Sequence, residues 1–266
     1  MKQLTTEELR DIQLQILIEV DKFCRENKLK YSLAYGTLLG AARHGGYIPW
    51  DDDIDIMMPR EDYDKFIATF SHPYMEVYSS RHQKSYLLPY AKVGDSRTLF
   101  DELSSQRFKA GINIDIFPVD NFAHPSPELQ KWFEKKSILD KIFDIKIIPF
   151  RNSPIDFKLQ KSYYYLKYPF LTLRRLRDKI EKTAQFFNSV PSGIVGVLST
   201  PRTSLDCGFP SSILQEFSEI EFEGIPFICV KKVDEYLTYM YGDWRQLPPA
   251  DKQVTHHLYK AYKKLS

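Results

Sequence analysis

The sequence predicts an α+β fold with a mainly helical, basic and aromatic stretch in its middle. Three observations carry this. Apolar and polar residues alternate over 53–56 and 112–116, an amphipathic helical pattern opens the chain, and 43% hydrophobic with 14% aromatic content over 266 residues supplies an ample core.

Thr5-Thr6-Glu7-Glu8 matches a capping box. Leu9, Ile12, Ile16, Val20 and Phe23 follow at spacings of three and four, so a first helix runs to about Asn27. "KYSLAYG" reads as a strand ending at Gly36. The small, apolar segment Thr37 to Arg43 suits a short helix with Thr37 as its N-cap, whose free backbone N–H groups could meet a phosphate.

Asp51, Asp52, Asp53 and Asp55 then crowd against Ile56, Met57 and Met58. Carboxylates this close repel unless they are solvated or offset by a cation. In an extended chain Asp53 and Asp55 share one face and Ile54 and Ile56 the other. Two carboxylates on a strand whose other face is buried suit a hard divalent cation such as Mg2+.

Pro59 opens a helix through "REDYDKFIATF", and further strands are expected near 75–79, 86–93 and 97–100. In "GINIDIFPVD", Ile112, Ile114 and Ile116 face one side, and Asn113, Asp115 and Phe117 the other. A lone carboxylate among isoleucines needs a cation or a cluster of hydrogen bonds.

The window 131–182 carries 14 Lys and Arg against 6 Asp and Glu, a net +8, and contains "KSYYYLKYPFLTLRRLRDK". Its aromatics at helical spacing read as core and its basic residues as a solvated face. The alternative is a docking surface for an anionic polymer or membrane face, reached through Arg174, Arg175 and Arg177. "EFEGIPFICV" reads as a hairpin and "VDEYLTYMYG" as a helix. The expected organisation is a catalytic core at 1–121, a helical region at 122–210 on the acceptor side, and a segment at 211–266 that packs back on the core.

Several readings drop out. A calcium loop starting at Asp51 needs glycine and glutamate where Ile56 and Asp62 stand. No glycine cluster is followed by Gly-Lys-Ser/Thr, which excludes a P-loop. His256 and His257 are neighbours and on a helix would not face one ligand. The charge of +2 is not decisive about partners, and no nucleic acid is expected. Cys24, Cys207 and Cys229 fit a reducing compartment, the charged N-terminus lacks an apolar signal segment, and no stretch reaches the length of a membrane span. The expected location is cytoplasmic, with peripheral contact at the inner face of the membrane.

"GTLLGAARHGGYIPWDDDIDI" together with "INIDIFPVD" resembles the signature of the LicD family of phosphocholine transferases. That family lies in the nucleotidyltransferase fold superfamily and is related to fukutin-type phosphosugar transferases. The resemblance covers the first 120 or so residues; "YMYGDW", the following prolines and the histidine pair resemble the family's tail more loosely, and 122–210 carries no family motif. It implies a nucleotidyltransferase-like mixed sheet flanked by helices, in which Gly36 and Thr37 shape a phosphate-binding turn and Asp53, Asp55 and Asp115 hold Mg2+. It also implies transfer of phosphocholine from CDP-choline to a sugar hydroxyl of a lipid-linked glycan precursor such as teichoic acid, with CMP leaving.

On that footing Arg43, His44 and Lys92 are candidates to contact the diphosphate, and Asp115 to accept the hydroxyl proton. A quaternary ammonium is held by aromatic faces, for which Trp50, Tyr35 and Tyr90 are candidates. The rivals are a metal-dependent glycosyltransferase, a nucleotidyltransferase releasing pyrophosphate, and a non-enzymatic adaptor for an anionic polymer.

Overall fold

The structure is a computed structural model and describes residues 1–102, 110–148, 155–190, 192–200, 208–254 and 259–264. His256, His257 and Cys207 lie outside the described residues.

The chain opens with strand β1 (Lys2–Gln3) and helix α1 (Thr6–Glu26). The capping box forms: Glu8 N–H donates to Thr5 Oγ1 at 3.1 Å, and Thr5 N–H to Glu8 Oε2 at 3.0 Å. The helix buries Leu9, Gln13, Ile16, Leu17, Val20 and Cys24 along one face. Next come β2 (Ser32–Leu33), α2 (Tyr35–His44), β3 (Asp55–Pro59), α3 (Arg60–Thr69), β4 (Met75–Tyr78), β5 (Ala91–Asp95), β6 (Thr98–Glu102) and β7 (Asn113–Phe122).

The principal sheet runs β2-β3-β7-β5-β4. β3 and β7 are parallel, and β2 and β5 flank them antiparallel. Mixed sheet and flanking helices together give the α+β fold that the alternations predict. Ile54, Ile56, Ile112, Ile114 and Ile116 are all fully or almost fully buried, which fixes the register, since a one-residue slip would turn the aspartates into the core.

Three boundaries differ from expectation for local reasons. β3 starts at Asp55, so Asp53 sits in the extended approach to the strand. Helix α2 begins at Tyr35 behind Ala34 with no side-chain cap, because Thr37 is buried and its Oγ1 accepts the Asp55 N–H at 2.8 Å. β5 starts at Ala91 rather than 86, since Pro89 has no N–H to give a ladder.

The middle is helical, as its composition predicts: α4 (Pro127–Ile147), α5 (Ile155–Lys167) and α6 (Leu173–Ala184). Its excess charge, however, is partly internal. Lys136, Lys146, Lys161 and Arg177 are buried. Lys136 pairs with Asp140 at 2.6 Å and donates to the Thr200 carbonyl, while Lys146 donates to the carbonyls of Tyr168 and Leu171, both at 2.8 Å. Arg177 reaches the carbonyls of Tyr86 and Lys84, fastening α6 to the loop that leads into β5. The grouping of Arg174, Arg175 and Arg177 as one docking cluster therefore fails at Arg177. Replacing Arg177 with Ser should lower stability by about 1–3 kcal/mol by stranding buried carbonyls, whereas Arg174→Ser should leave the melting temperature unchanged.

The chain returns to the sheet through β8 (Ile194–Gly196), which pairs with β7, and β9 (Phe209–Pro210). β10 (Phe217–Phe222) and β11 (Ile225–Val230) form the predicted hairpin, followed by α7 (Val233–Tyr241) and β12 (Tyr259–Lys263). β12 joins β1 to β6 in a small antiparallel sheet that ties the two ends of the chain together. No helix among the described residues is long and apolar enough to cross a membrane.

Candidate active site

Register places three functional side chains in one row. Asp55 on β3 stands opposite Asp115 on β7, and Asp115 opposite Lys92 on β5. Side chains on adjacent strands in one row lie about 5 Å apart at their Cα atoms and point the same way. Lys92 Nζ is ion-paired with Asp115 and also donates to Asn113 Oδ1 at 3.1 Å. Asn113, on the same face of β7, could have been chosen from the alternation that selected Asp115.

The acidic loop lies against this row. Asp51, Asp52 and Asp53 bring carboxylate oxygens within 4.8 Å of one another. Helix α1 holds the backbone that makes this possible: Arg10 donates to the carbonyls of Ile48, Pro49 and Asp51, and Gln13 Nε2 to that of Asp52 at 3.1 Å. With its carbonyls engaged from one side, the loop leaves its carboxylates to repel each other on the other. Gly36 lets Asp51 approach the first turn of α2, since a Cβ there would collide with the Asp51 carboxylate.

Electrostatics at Asp55 follow. Burial, then Asp53, Asp115 and Asp51, push its carboxyl well above the usual range, with Lys92 acting weakly the other way. One ammonium against this many carboxylates leaves excess negative charge at a site made of oxygen donors. That donor chemistry fits a hard divalent cation.

Protonation and cation binding compete at Asp55, which gives a signed pH dependence. With the folded pKa raised above the unfolded value, the metal-free protein binds the extra proton when folded and should lose stability as pH rises through that folded pKa. Bound cation should reverse the trend, and its apparent affinity should weaken as pH falls. Melting curves with and without Mg2+ across pH 5–9 check this; parallel curves would separate Asp55 from the cation.

The remaining predicted residues divide. Thr37 braces the start of β3 through the Asp55 N–H. Arg43 donates to the carbonyls of Trp244 and Gln246 at 2.9 and 3.2 Å, anchoring the C-terminal segment on α2. His44 sits edge-on to Trp50, with ring centroids 6.3 Å apart, and burial and Arg43 lower its pKa. Tyr35 and Tyr90 meet on Phe117, at centroid distances of 5.4 and 4.7 Å. Tyr35 has φ 45°, a left-handed conformation that a tyrosine adopts only when its surroundings enforce it.

Sequence reasoning missed the two tyrosines of α7. Tyr236 is buried and hydrogen-bonded to the Tyr35 backbone; desolvation and then Asp55 act to raise its phenol pKa. The Tyr241 phenol is raised too, by partial desolvation, Tyr236 and the carboxylates of Asp55, Asp51 and Asp53, although the residue is 43% exposed. Their proximity to the acidic loop depends on tertiary packing, and the only signal in the sequence is the tyrosine-rich helix itself.

Residues 28–157 match the family described as LicD/FKTN/FKRP, nucleotidyltransferase domain. The full chain is also similar to lipopolysaccharide cholinephosphotransferase LicD of Haemophilus influenzae, with 29% identity covering 98% of this chain and 99% of that one. Both similarities point to the LicD family. Shorter similarities occur to uncharacterized proteins of Rickettsia typhi, 36% identical over 28% of this chain and 24% of the relative, and of Rickettsia prowazekii, 46% over 18% of each. The LicD family match reaches beyond the core expected at 1–121, through α4 and into α5. It leaves out α1, which holds the acidic loop, and α7, whose Tyr236 is hydrogen-bonded to the Tyr35 backbone.

Proposed function

We propose that this chain is a phosphocholine transferase that moves phosphocholine from CDP-choline to a sugar hydroxyl on a lipid-linked glycan precursor, such as teichoic acid, and releases CMP. The observation that carries the reading is the row Asp55–Asp115–Lys92 set beside the carboxylates of Asp51–Asp53. The full-length similarity to an enzyme named as a cholinephosphotransferase supports the class of reaction.

Asp53, Asp55 and Asp115 would hold a divalent cation, proposed as Mg2+, with Asp51 and Asp52 adjacent. When bound, such an ion neutralises charge on the phosphate oxygens during in-line transfer. The sugar hydroxyl attacks phosphorus, the bond from phosphorus to the CMP oxygen breaks, and Asp115 accepts the hydroxyl proton. Lys92, which already pairs with a carboxylate, supplies fixed positive charge beside the transferring group. Thr37 and Gly36 hold α2 close to β3 and the acidic loop, so they shape the site from behind.

The choline end is assigned to Tyr35, Phe117 and Tyr90. Phe117 stands two residues along β7 from Asp115 on the same face, roughly 7 Å away, and a quaternary ammonium binds aromatic faces rather than hydrogen-bond donors. Incubating the protein with CDP-choline, Mg2+ and a glycan acceptor should release CMP and add the mass of phosphocholine to the acceptor. Addition of a nucleotide instead would point to the nucleotidyltransferase reading, and no metal-dependent release would overturn the proposal.

A further inference from the structure

Helix α5 is apolar on the side that faces away from the protein. Ile155, Leu159, Tyr163 and Leu166 are 75%, 69%, 52% and 82% exposed, and Phe170, just beyond the helix, is 79% exposed. At about 100° per residue, the four helical positions fall within roughly 80° of arc. The opposite side of the same helix is already used: Tyr164 and Tyr168 pack against the cluster of Ile142, Phe143, Leu176 and Ile180, and Lys161 is buried. A helix with one face in a core normally turns polar residues outward. Here the outward stripe is built from Ile, Leu, Tyr and Phe, and a contiguous apolar strip of this kind marks a contact surface.

The charges around the stripe indicate what covers it. Lys158 and Lys167 lie on its two flanks, about 60° and 40° beyond its edges. Arg174 and Arg175, both exposed, follow Phe170 in the chain, and Arg175 donates to the Phe170 carbonyl at 2.8 Å, which ties that turn to a guanidinium. Large apolar side chains in the middle, a tyrosine at the edge and cations on both flanks match the requirements of an anionic lipid surface. The apolar groups enter the acyl boundary and the cations meet the headgroup phosphates.

We infer that α5 and the turn at Phe170 form an interfacial anchor that seats the protein on an anionic bilayer. The anchor leads into α6, whose Arg177 binds the carbonyls of Tyr86 and Lys84, a few residues ahead of Tyr90 and Lys92. The inference goes beyond the proposed transfer reaction and stands without it, because lipid binding is read in the absence of donor and acceptor.

The test is flotation of the full-length protein with phosphatidylcholine vesicles that contain or lack phosphatidylglycerol, at low and high salt. The wild type should float with the phosphatidylglycerol vesicles, more weakly at high salt. Leu159→Ser with Leu166→Ser should bind about tenfold less, as two large apolar groups no longer leave water. The melting temperature should be unchanged, because both positions are exposed. Lys158→Glu with Lys167→Glu should weaken binding to anionic vesicles while leaving every apolar side chain of the stripe in place, although Lys167 gives up its hydrogen bond to the Tyr163 hydroxyl; this covers the case of a misfolded leucine variant. Wild-type binding by both variants would overturn the anchor. So would a wild type that ignores the vesicles and forms a dimer dispersed by the leucine changes, which would assign the stripe to a second copy of the chain.

Discussion

Asp55→Asn should reduce CMP release at least a thousandfold while leaving the metal-free protein as stable as the wild type or more so. The two effects have the same origin. The Asp55 carboxyl is held well above its usual pKa by burial and by Asp53, Asp115 and Asp51, so its ionised form is costly in the empty site. A neutral amide of the same shape removes that repulsion. It also removes a charged oxygen donor from the proposed cation, and losing several kcal/mol of transition-state stabilisation corresponds to about three powers of ten in rate. Thermal melting and CMP release on the same preparation decide the matter. Turnover near wild type would take Asp55 out of the metal site, and a large loss of stability would make its role structural.

Asp115→Asn should be as damaging to activity but opposite in its effect on stability. Asp115 stands in the same row as Asp55, yet it is paired with Lys92, and both side chains are largely buried at 14% and 13% exposure. Removing the carboxylate breaks a largely buried ion pair, with Lys92 keeping its hydrogen bond to the Asn113 amide oxygen, so a loss of about 1–3 kcal/mol is expected. The requirement for Mg2+ should rise as well, because one carboxylate donor has gone. Restoring stability but not activity with Asp115→Asn/Lys92→Met would separate the two roles. A variant with a normal Mg2+ requirement and a modest rate loss would place Asp115 outside the cation's reach.

The parts of this site that were legible in the sequence are those set by strand periodicity. Ile54 and Ile56, and Ile112, Ile114 and Ile116, had to be inside, so Asp55 and Asp115 had to share the other face. Parallel pairing of β3 with β7 then needed only the matching register. Periodicity was silent about what covers that face. It could not show that Thr37 would give up a capping role to receive the Asp55 N–H, or that Tyr236 would be buried with a hydrogen bond to the Tyr35 backbone.

The helical middle was legible as helices but misleading as a charge pattern. Lys136 and Lys146 look like surface residues in composition, yet one pairs with an aspartate one turn along and the other caps carbonyls near the end of α5. The reverse holds for Tyr163 and Phe170, aromatics of that window, which read as core and lie outside. An amphipathic pattern shows that a helix has an apolar stripe. When both faces are apolar, only the packed structure shows which one its neighbours cover.

The hairpin of β10 and β11 has a consequence for the order in which the protein matures. Its turn, Glu223–Gly224, rests on the loop after α2: the Glu223 N–H donates to the Gly45 carbonyl at 2.9 Å, and Glu223 Oε1 accepts from the Tyr47 N–H at 2.9 Å. The segment that leads into the acidic loop is thus braced by residues made some 180 positions later on the ribosome, and α7 follows the hairpin. During synthesis the three central strands can pair early, because β7 ends at Phe122, but the segment leading into the acidic loop stays unbraced until the last quarter of the chain emerges. A nascent chain stalled before Phe217 should therefore hold its sheet and be catalytically silent, so that the enzyme cannot act on donor before its own translation is nearly complete.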